Sequence, residues 1–398
     1  MRLSIFLLLL FAPSMRAEPL WDLKKLGEAP KVEWLDKTGP VRSLYYESEP
    51  YQGKTTRVFA WYAEPTEVQG KLPAMVLVHG GGGTAFKEWV ELWAKRGYVA
   101  IAMDLGGVGP DKKRLPDGGP SQDDGTKFPA KKTDLKEMWS YHAVANVIRA
   151  NSLLRSLPNV DPERIGLTGI SWGGYLTCMV SGIDDRFKVA VPVYGCGFLH
   201  ENSTWLDRFS KMDPEWRKEW IANFDPSSHV KNARMPMLFV NGTNDFAYPL
   251  DSYQKTYRLV KNHTLCVTVN MPHGHSQGWT PKEIGEFVDV YLKKGKKFFP
   301  LGQEKHDILD VGGSPAVVLG TPQFGPLLIK SVQLHFTTDL KEPWQKRTWT
   351  TKDAHASSGN ETDLWHVELP KDRPIVFFLT VKDADGRTVS TEHEVREK

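Results

Sequence analysis

The chain has 398 residues, with 51 lysines and arginines against 48 aspartates and glutamates, for a formal charge of +3. That length buries a full core and leaves roughly a hundred residues for a second domain, while a charge so near zero gives no argument for a nucleic-acid partner. Cys178, Cys196 and Cys266 leave at least one thiol unpaired within the chain and are too few for a disulfide framework.

Residues 1–17 predict a secretory signal: Arg2 supplies the positive start, residues 3–12 the apolar run, and Ala17 a cleavage point, although Met15 three residues before it is not small. Removal would leave a secreted or periplasmic chain, and no other segment reaches membrane-spanning length. Sequons begin at Asn202, Asn241, Asn262 and Asn360; a sugar on Asn241 would collide with a loop assigned to the site below, so they are expected to be incidental.

Ala74-Met75-Val76-Leu77-Val78 is a continuous apolar run of buried-strand type that empties into His79-Gly80-Gly81-Gly82-Gly83. Such a loop can turn a backbone N–H toward a reacting carbonyl, and Gly81, with Gly82 behind it, is the expected oxyanion donor. A flexible linker is the plainer reading of four glycines, but these stand between a buried strand and a helical pattern over residues 86–96. A strand follows at 98–103, a long Gly-, Pro- and Asp-rich surface loop at 106–129, and an amphipathic helix at 135–157.

Ile165-Gly166-Leu167-Thr168-Gly169-Ile170-Ser171-Trp172-Gly173-Gly174-Tyr175 is an apolar strand running through G-x-S-x-G into a helix, the pattern of a nucleophile elbow. Glycines two residues either side of Ser171 leave a tight turn uncrowded, and an alkoxide there would sit over a helix N-terminus. The Trp172 N–H is the second expected oxyanion donor. A strand follows at 189–194. Residues 198–224 then interrupt the alternation with Trp205, Trp216 and Trp220, either as a lid or aromatic platform for a sugar ring or as an ordinary packed helix pair.

A third buried strand, Met237-Leu238-Phe239-Val240, leads to Asn241-Gly242-Thr243-Asn244-Asp245, which makes Asp245 the candidate acid. Asp251 falls inside the next helix, and Asn244 carries no charge. A strand over residues 265–271 runs into Pro272-His273-Gly274-His275-Ser276. Gly274 gives the following residue room to turn inward, so His275 is taken as the general base, with His273 as the alternative. The His-x-His pair also invites a metal, but no third ligand is patterned nearby, and neither metal nor cofactor is expected. Lys293, Lys294, Lys296 and Lys297 read as a helix C-terminus. Past Pro300, short apolar or alternating runs at 316–319, 329–337, 346–351, 363–369 and 375–381 predict a small antiparallel sandwich.

Residues 76–292 resemble the esterase and peptidase branch of the α/β-hydrolases that includes acetyl xylan esterases, dienelactone hydrolases and the catalytic domains of prolyl oligopeptidases. The matching pieces are His79-Gly80-Gly81-Gly82, Val160-Asp161-Pro162-Glu163-Arg164-Ile165, Gly169 to Tyr175, Asn241 to Asp245 and Gly274-His275. Ser171, Asp245 and His275 follow the α/β-hydrolase order of serine, acid and histidine. Dienelactone hydrolases place cysteine where Ser171 stands, glucuronoyl esterases place arginine where Trp172 stands, and too few residues precede His79 for an oligopeptidase propeller. The alternation of strand and helix and the resemblance together give the expectation of a doubly wound, mostly parallel α/β sheet (α/β-hydrolase) over residues 18–300, and the short runs past Pro300 that of an immunoglobulin- or fibronectin-like all-β sandwich over 301–398. The resemblance implies a serine carboxylesterase acting on a small-molecule or carbohydrate ester, acetyl groups on carbohydrate among them; a prolyl-oligopeptidase-like peptidase for short peptides and a catalytically inactive binding protein stand as the alternatives.

Overall fold

The computed structural model describes residues 19–67, 70–298, 307–311, 314–322, 329–358 and 362–397. The expected signal at 1–17, the domain boundary at 300/301 and the Asn360 sequon lie outside them. A short helix α1 (Leu23–Leu26), capped by Asp22, precedes three antiparallel strands, β1 (Val32–Asp36), β2 (Val41–Tyr51) and β3 (Lys54–Ala63). Gln52 and Gly53, with φ of 51° and 71°, close the β2–β3 hairpin as a two-residue turn whose twist matches that of its strands.

Strands and helices then alternate: β4 (Leu72–Val78), α2 (Lys87–Lys95), β5 (Val99–Met103), α3 (Asp124–Lys127), α4 (Trp139–Ser156), β6 (Val160–Ile170), α5 (Trp172–Ser181) and β7 (Val189–Val193). After β7 come α6 (Leu206–Ser210), α7 (Pro214–Phe224), α8 (Pro226–His229), β8 (Met237–Gly242), α9 (Leu250–Tyr257), β9 (His263–Thr268), α10 (His275–Trp279) and α11 (Lys282–Leu292). The central order β5-β4-β6-β7-β8-β9 is parallel throughout, and β3 joins β5 antiparallel. Val76, Leu77, Ile101 and Leu167 are completely buried, as strands covered on both faces require.

Because β5 lies on one side of β4 and β6 on the other, the winding reverses between β4 and β6. The loops leaving the carboxyl ends of those two strands diverge there and open a crevice. One of these loops is His79 to Gly83, and the other is the elbow at Ser171.

Residues 135–157, expected to form an amphipathic helix, instead form a 3-10 turn (Leu135–Glu137) and α4, in which 15 of 18 residues are buried. The sheet covers one face and the N-terminal segment the other. The Trp21 indole donates to Tyr141 O, Ser152 Oγ donates to Leu26 O, and Arg149 reaches Lys25 O and Glu28 O. Two lysines of the run after α11 make structural contacts: Lys293 donates to Arg96 O and covers the Tyr98 ring, and Lys296 pairs with Asp385.

The C-terminal strands are β10 (Asp307–Val311), β11 (Ser314–Pro322), β12 (Ile329–Thr337), β13 (Thr350–Asp353), β14 (His355–Ser358), β15 (Thr362–Glu368), β16 (Ile375–Asp383), β17 (Thr388–Ser390) and β18 (Glu394–Arg396). They form two antiparallel sheets, β10-β11-β15-β14 and β17-β16-β12-β13, with β18 on β16. Val317, Leu319 and Val367 of the first sheet pack on Leu334, Phe377 and Leu379 of the second. The second sheet also continues the main one, through the single pair Ser390–Leu265. Residues 346–351, expected as one strand, divide into a 3-10 turn (Trp344–Lys346) and β13.

Gly173 is where the fold tolerates least. A Cβ there would stand 1.9 Å from Val78 O and 2.8 Å from His79 O, and one on Gly169 would stand 2.2 Å from Gly173 O. Gly173→Ala is expected to cost about 3 kcal/mol or more, since backbone rather than a flexible side chain must give way. A loss of unfolding free energy by urea denaturation smaller than about 0.5 kcal/mol would show that α5 can move off β4.

Candidate active site

Ser171 links β6 to α5 with φ 59° and ψ −118°, a conformation that costs a non-glycine residue on the order of 1–3 kcal/mol unless its surroundings enforce it. They do: its N–H donates to Val193 O at 2.9 Å, its carbonyl accepts Tyr175 N–H at 2.9 Å, and the neighbouring glycines leave no slack. The hydroxyl is thereby held above the sheet at the start of α5, where first-turn N–H groups have no intrahelical acceptor.

His273 meets it. Its Nε2 lies 2.9 Å from Ser171 Oγ and its Nδ1 2.6 Å from Asp245 Oδ2. The fully buried Asp245 side chain fixes its other oxygen on the N–H groups of Ala247 and Tyr248, at 2.9 and 2.7 Å. A carboxylate so held leaves Oδ2 to accept Nδ1–H, which turns the lone pair of Nε2 toward the serine hydroxyl. Tyr194 and Phe246 flank the ring with centroids 4.4 and 4.7 Å away, and the Tyr194 hydroxyl donates to Gly274 O at 2.6 Å.

The expected base, His275, does not contact this pair; its Nε2 accepts the Gly80 N–H at 3.0 Å and its ring lies on Phe86. The reason is strand length. β9 stops at Thr268 rather than at residue 271, and Asn270 at φ 55° turns the chain early, so the reach to Ser171 falls to the first histidine. Gly274 is extended, with φ −171° and ψ 162°, and makes no special turn. Asp251 sits in α9 and accepts from Asn202 Nδ2.

The glycine run is shaped by these imidazoles. His79 is buried, donates Nδ1–H to Gly80 O at 2.7 Å and accepts Leu105 N–H on Nε2 at 2.9 Å. The Gly80 peptide is thus gripped at its carbonyl by His79 and at its N–H by His275. A Cβ on Gly80 would come within 2.9 Å of Ser171 Cβ, and one on Gly83 within 2.6 Å of His275 Nε2. These glycines permit close approach rather than flexibility. Burial depresses both histidines to about 4, helped at His275 by the neighbouring His79 and His273, so both are neutral acceptors near pH 7.

A cavity of about 300 Å³ opens over Ser171, walled by Gly81, Ile170, Trp172, Trp205, Phe246, Ala247, His273, Gly274 and His275. Gly81 and Trp172 border it. Gly82 does not; it is exposed, with φ +67°. The tryptophan-rich insertion splits between its two readings. Trp205 joins the cavity wall, 4.6 Å from Trp172 between ring centroids, while Trp216 and Trp220 are core residues donating to Pro129 O and Lys127 O. Beneath the wall, the buried Lys127 ammonium lies 4.6 Å from the Trp172 ring, and burial lowers its pKa. A larger cavity of about 400 Å³, between α2 and α11, has neither histidine nor carboxylate in its lining. The Asn241 side chain is completely buried and donates to Tyr248 O, so its sequon cannot carry a glycan in the folded chain.

Residues 21–207 match the family model for acetyl xylan esterase (AXE1), a span that includes the glycine loop and Ser171 but ends before Asp245 and His273. Acetyl esterase Axe7A of Xylanibacter ruminicola is 21% identical over 255 residues, 60% of this chain and 56% of that protein. An uncharacterized peptidase of Bacillus subtilis, YuxL, is 24% identical over 250 residues, 57% of this chain and 35% of the other. The chain therefore spans between about a third and just over half the length of these relatives. Among solved structures, an acetyl xylan esterase from Paenibacillus sp. R4 superposes with a TM-score of 0.54 at 22% identity, covering 68% of this chain and 92% of that one. An acylaminoacyl peptidase from Pyrococcus horikoshii gives 0.50 at 24% identity, over 66% and 44%. The chain has the α/β-hydrolase fold and resembles the acetyl xylan esterases.

Stability should respond to the buried histidines. His79, His142, His275 and His335 are held at about 4 and His393 at about 3, all by burial, against an ordinary value near 6.5. Between those values the unfolded chain binds more protons than the folded one, so stability falls as pH is lowered from about 6.5 to 4. Asp104, raised by burial to about 6, acts in the opposite sense but is one group against these five and His229, which burial also lowers. Unfolding free energies from urea denaturation across this range should fall with a slope of at least one net proton, about 1.4 kcal/mol per pH unit. A flat profile would mean that these rings are solvated.

Proposed function

We propose that this α/β-hydrolase is an exported serine carboxylesterase that removes small acyl groups, acetyl esters of carbohydrate among them, with Ser171 as nucleophile, His273 as general base and Asp245 as its orienting acid. The observation that carries the reading is the continuous line from Ser171 Oγ through both nitrogens of His273 to the buried Asp245, at 2.9 and 2.6 Å. We place the catalytic unit at residues 18–300 and the sandwich at 301–398; the leader-like residues 1–17 are the support for export.

Ser171 Oγ attacks the ester carbonyl carbon while Nε2 of His273 takes the hydroxyl proton. Asp245 keeps Nδ1–H in place and balances the imidazolium. The tetrahedral oxyanion forms beside the N–H groups of Gly81 and Trp172, the latter at a helix N-terminus. The imidazolium then protonates the departing alcohol, leaving an acyl-serine. Water attacks the acyl carbon after giving a proton to the same nitrogen, and the acid departs as Ser171 recovers its hydrogen. Every step uses groups of this chain, so no cofactor is invoked.

The small, aromatic-walled cavity and the acetyl xylan esterase match favour a short acyl group over a peptide. The peptidase reading keeps the support of the YuxL and dipeptidyl-peptidase relatives. On p-nitrophenyl esters, kcat/KM should decline from acetyl to octanoyl, and aminoacyl amides should turn over far more slowly; faster amide hydrolysis would decide for the peptidase.

Ser171→Ala should abolish turnover and fluorophosphonate labelling, and His273→Ala and Asp245→Asn should each lower kcat by on the order of 10⁴-fold. His275→Ala should cost on the order of 10-fold, because it frees the Gly80 peptide without removing a proton carrier. An inactive His275→Ala beside an active His273→Ala would reassign the base.

A further inference from the structure

The acid loop does more than present Asp245. Thr243 Oγ1 accepts the Asn270 N–H at 3.0 Å and donates to Asn244 Oδ1 at 2.7 Å. The Asn244 amide then donates from Nδ2 to two carbonyls of the C-terminal turn, Gln345 O at 3.2 Å and Arg347 O at 2.8 Å. The amide's orientation follows from its partners, since two carbonyls can only accept. One polar chain thus joins the loop of His273, the loop of Asp245 and the sandwich. Asn270 stands three residues before the histidine and Asn244 one before the aspartate.

Apolar packing backs it. Leu250 and Val267, on the elements flanking the two catalytic loops, share a cluster with Trp344, Trp349, Val376 and Phe378 of the sandwich. The turn that offers the carbonyls is itself anchored: the Arg347 guanidinium lies 3.9 Å from the Trp344 ring centre, and its Nε donates to Glu342 O.

We propose that the C-terminal sandwich is a brace for the catalytic acid and base, and that Asn244 is the positioning residue through which it acts. The proposal rests on the Ser171–His273–Asp245 reading. Asn244 touches no reacting atom. Its amide fixes where the acid loop stands relative to the base loop, and so the line-up of Asp245 Oδ2 with His273 Nδ1. Only a group with two hydrogens on one nitrogen can hold both carbonyls; a carboxylate there would face them with like polarity.

The test uses the full chain, with active sites titrated by fluorophosphonate and p-nitrophenyl acetate kinetics read per titrated site. Asn244→Ala should lower kcat per site by on the order of 10-fold while KM stays within about twofold. Asn244→Asp should lower it at least as far. Thr243→Val should reproduce the loss and Thr243→Ser should not. Variants that match the wild type per site, or that lose only titratable sites at unchanged kcat per site, would overturn the brace. Labelling that persists in Ser171→Ala would instead remove the triad reading, and the brace with it.

Discussion

Backbone meets backbone beneath the elbow, and most of the site depends on it. α5 begins so close to β4 that position 173 must be glycine, with Val78 O where a Cβ would go. That contact sets the height of Ser171 above the sheet and brings the elbow beside the loop leaving β4, whose Val78 pairs in register with Gly169. The strained φ of Ser171 is stored there because neither strand can yield at its carboxyl end: β4 from Pro73 to Val78 and β6 from Gly166 to Ile170 are buried and hydrogen-bonded on each side.

Around this fixed point the molecule puts histidine to two uses. His273 stands against a carboxylate, where a positive ring can be balanced. His275 has no carboxylate in contact, and His79, although Asp104 Oδ1 lies 3.9 Å from its Nε2, uses that nitrogen to accept the Leu105 N–H; burial keeps both neutral, which makes them reliable hydrogen-bonding groups for the Gly80 peptide. Two imidazoles separated by one residue in the chain therefore do opposite jobs, and only their neighbours distinguish them.

That distinction marks the limit of what the sequence makes legible. The elbow, the glycine loop, the position of Asp245 and the alternation of strand and helix follow from apolar runs and glycine spacing, which are local properties. The histidine assignment depends on where β9 ends, and an apolar run continuing to Met271 hides a strand that stops at Thr268. α4 resembles a half-exposed helix until Trp21 and Leu26, more than a hundred residues earlier, are seen to cover it. The hairpin at Gln52-Gly53 carries a turn signal of its own in the glycine, yet β1, β2 and β3 were not expected. In sequence Asn244 is only an uncharged neighbour of Asp245, because its carbonyl partners lie a hundred residues on. Tertiary neighbours, not propensities, decide each of these.

The junction at Ser390 has a further meaning for the life of the chain outside its active state. β9 is the last parallel strand, and its free edge would expose a row of unpaired N–H and C=O groups beside Leu265 and Val267. Ser390 occupies that edge with one ladder pair, and its side chain accepts the Val267 N–H at 2.8 Å, before β17 leads the chain away into the sandwich. A contact so short adds little strand pairing, but it leaves another molecule no flat template along which to add a strand. The sandwich is thus also a stopper, protecting the hydrolase sheet from edge-to-edge self-association.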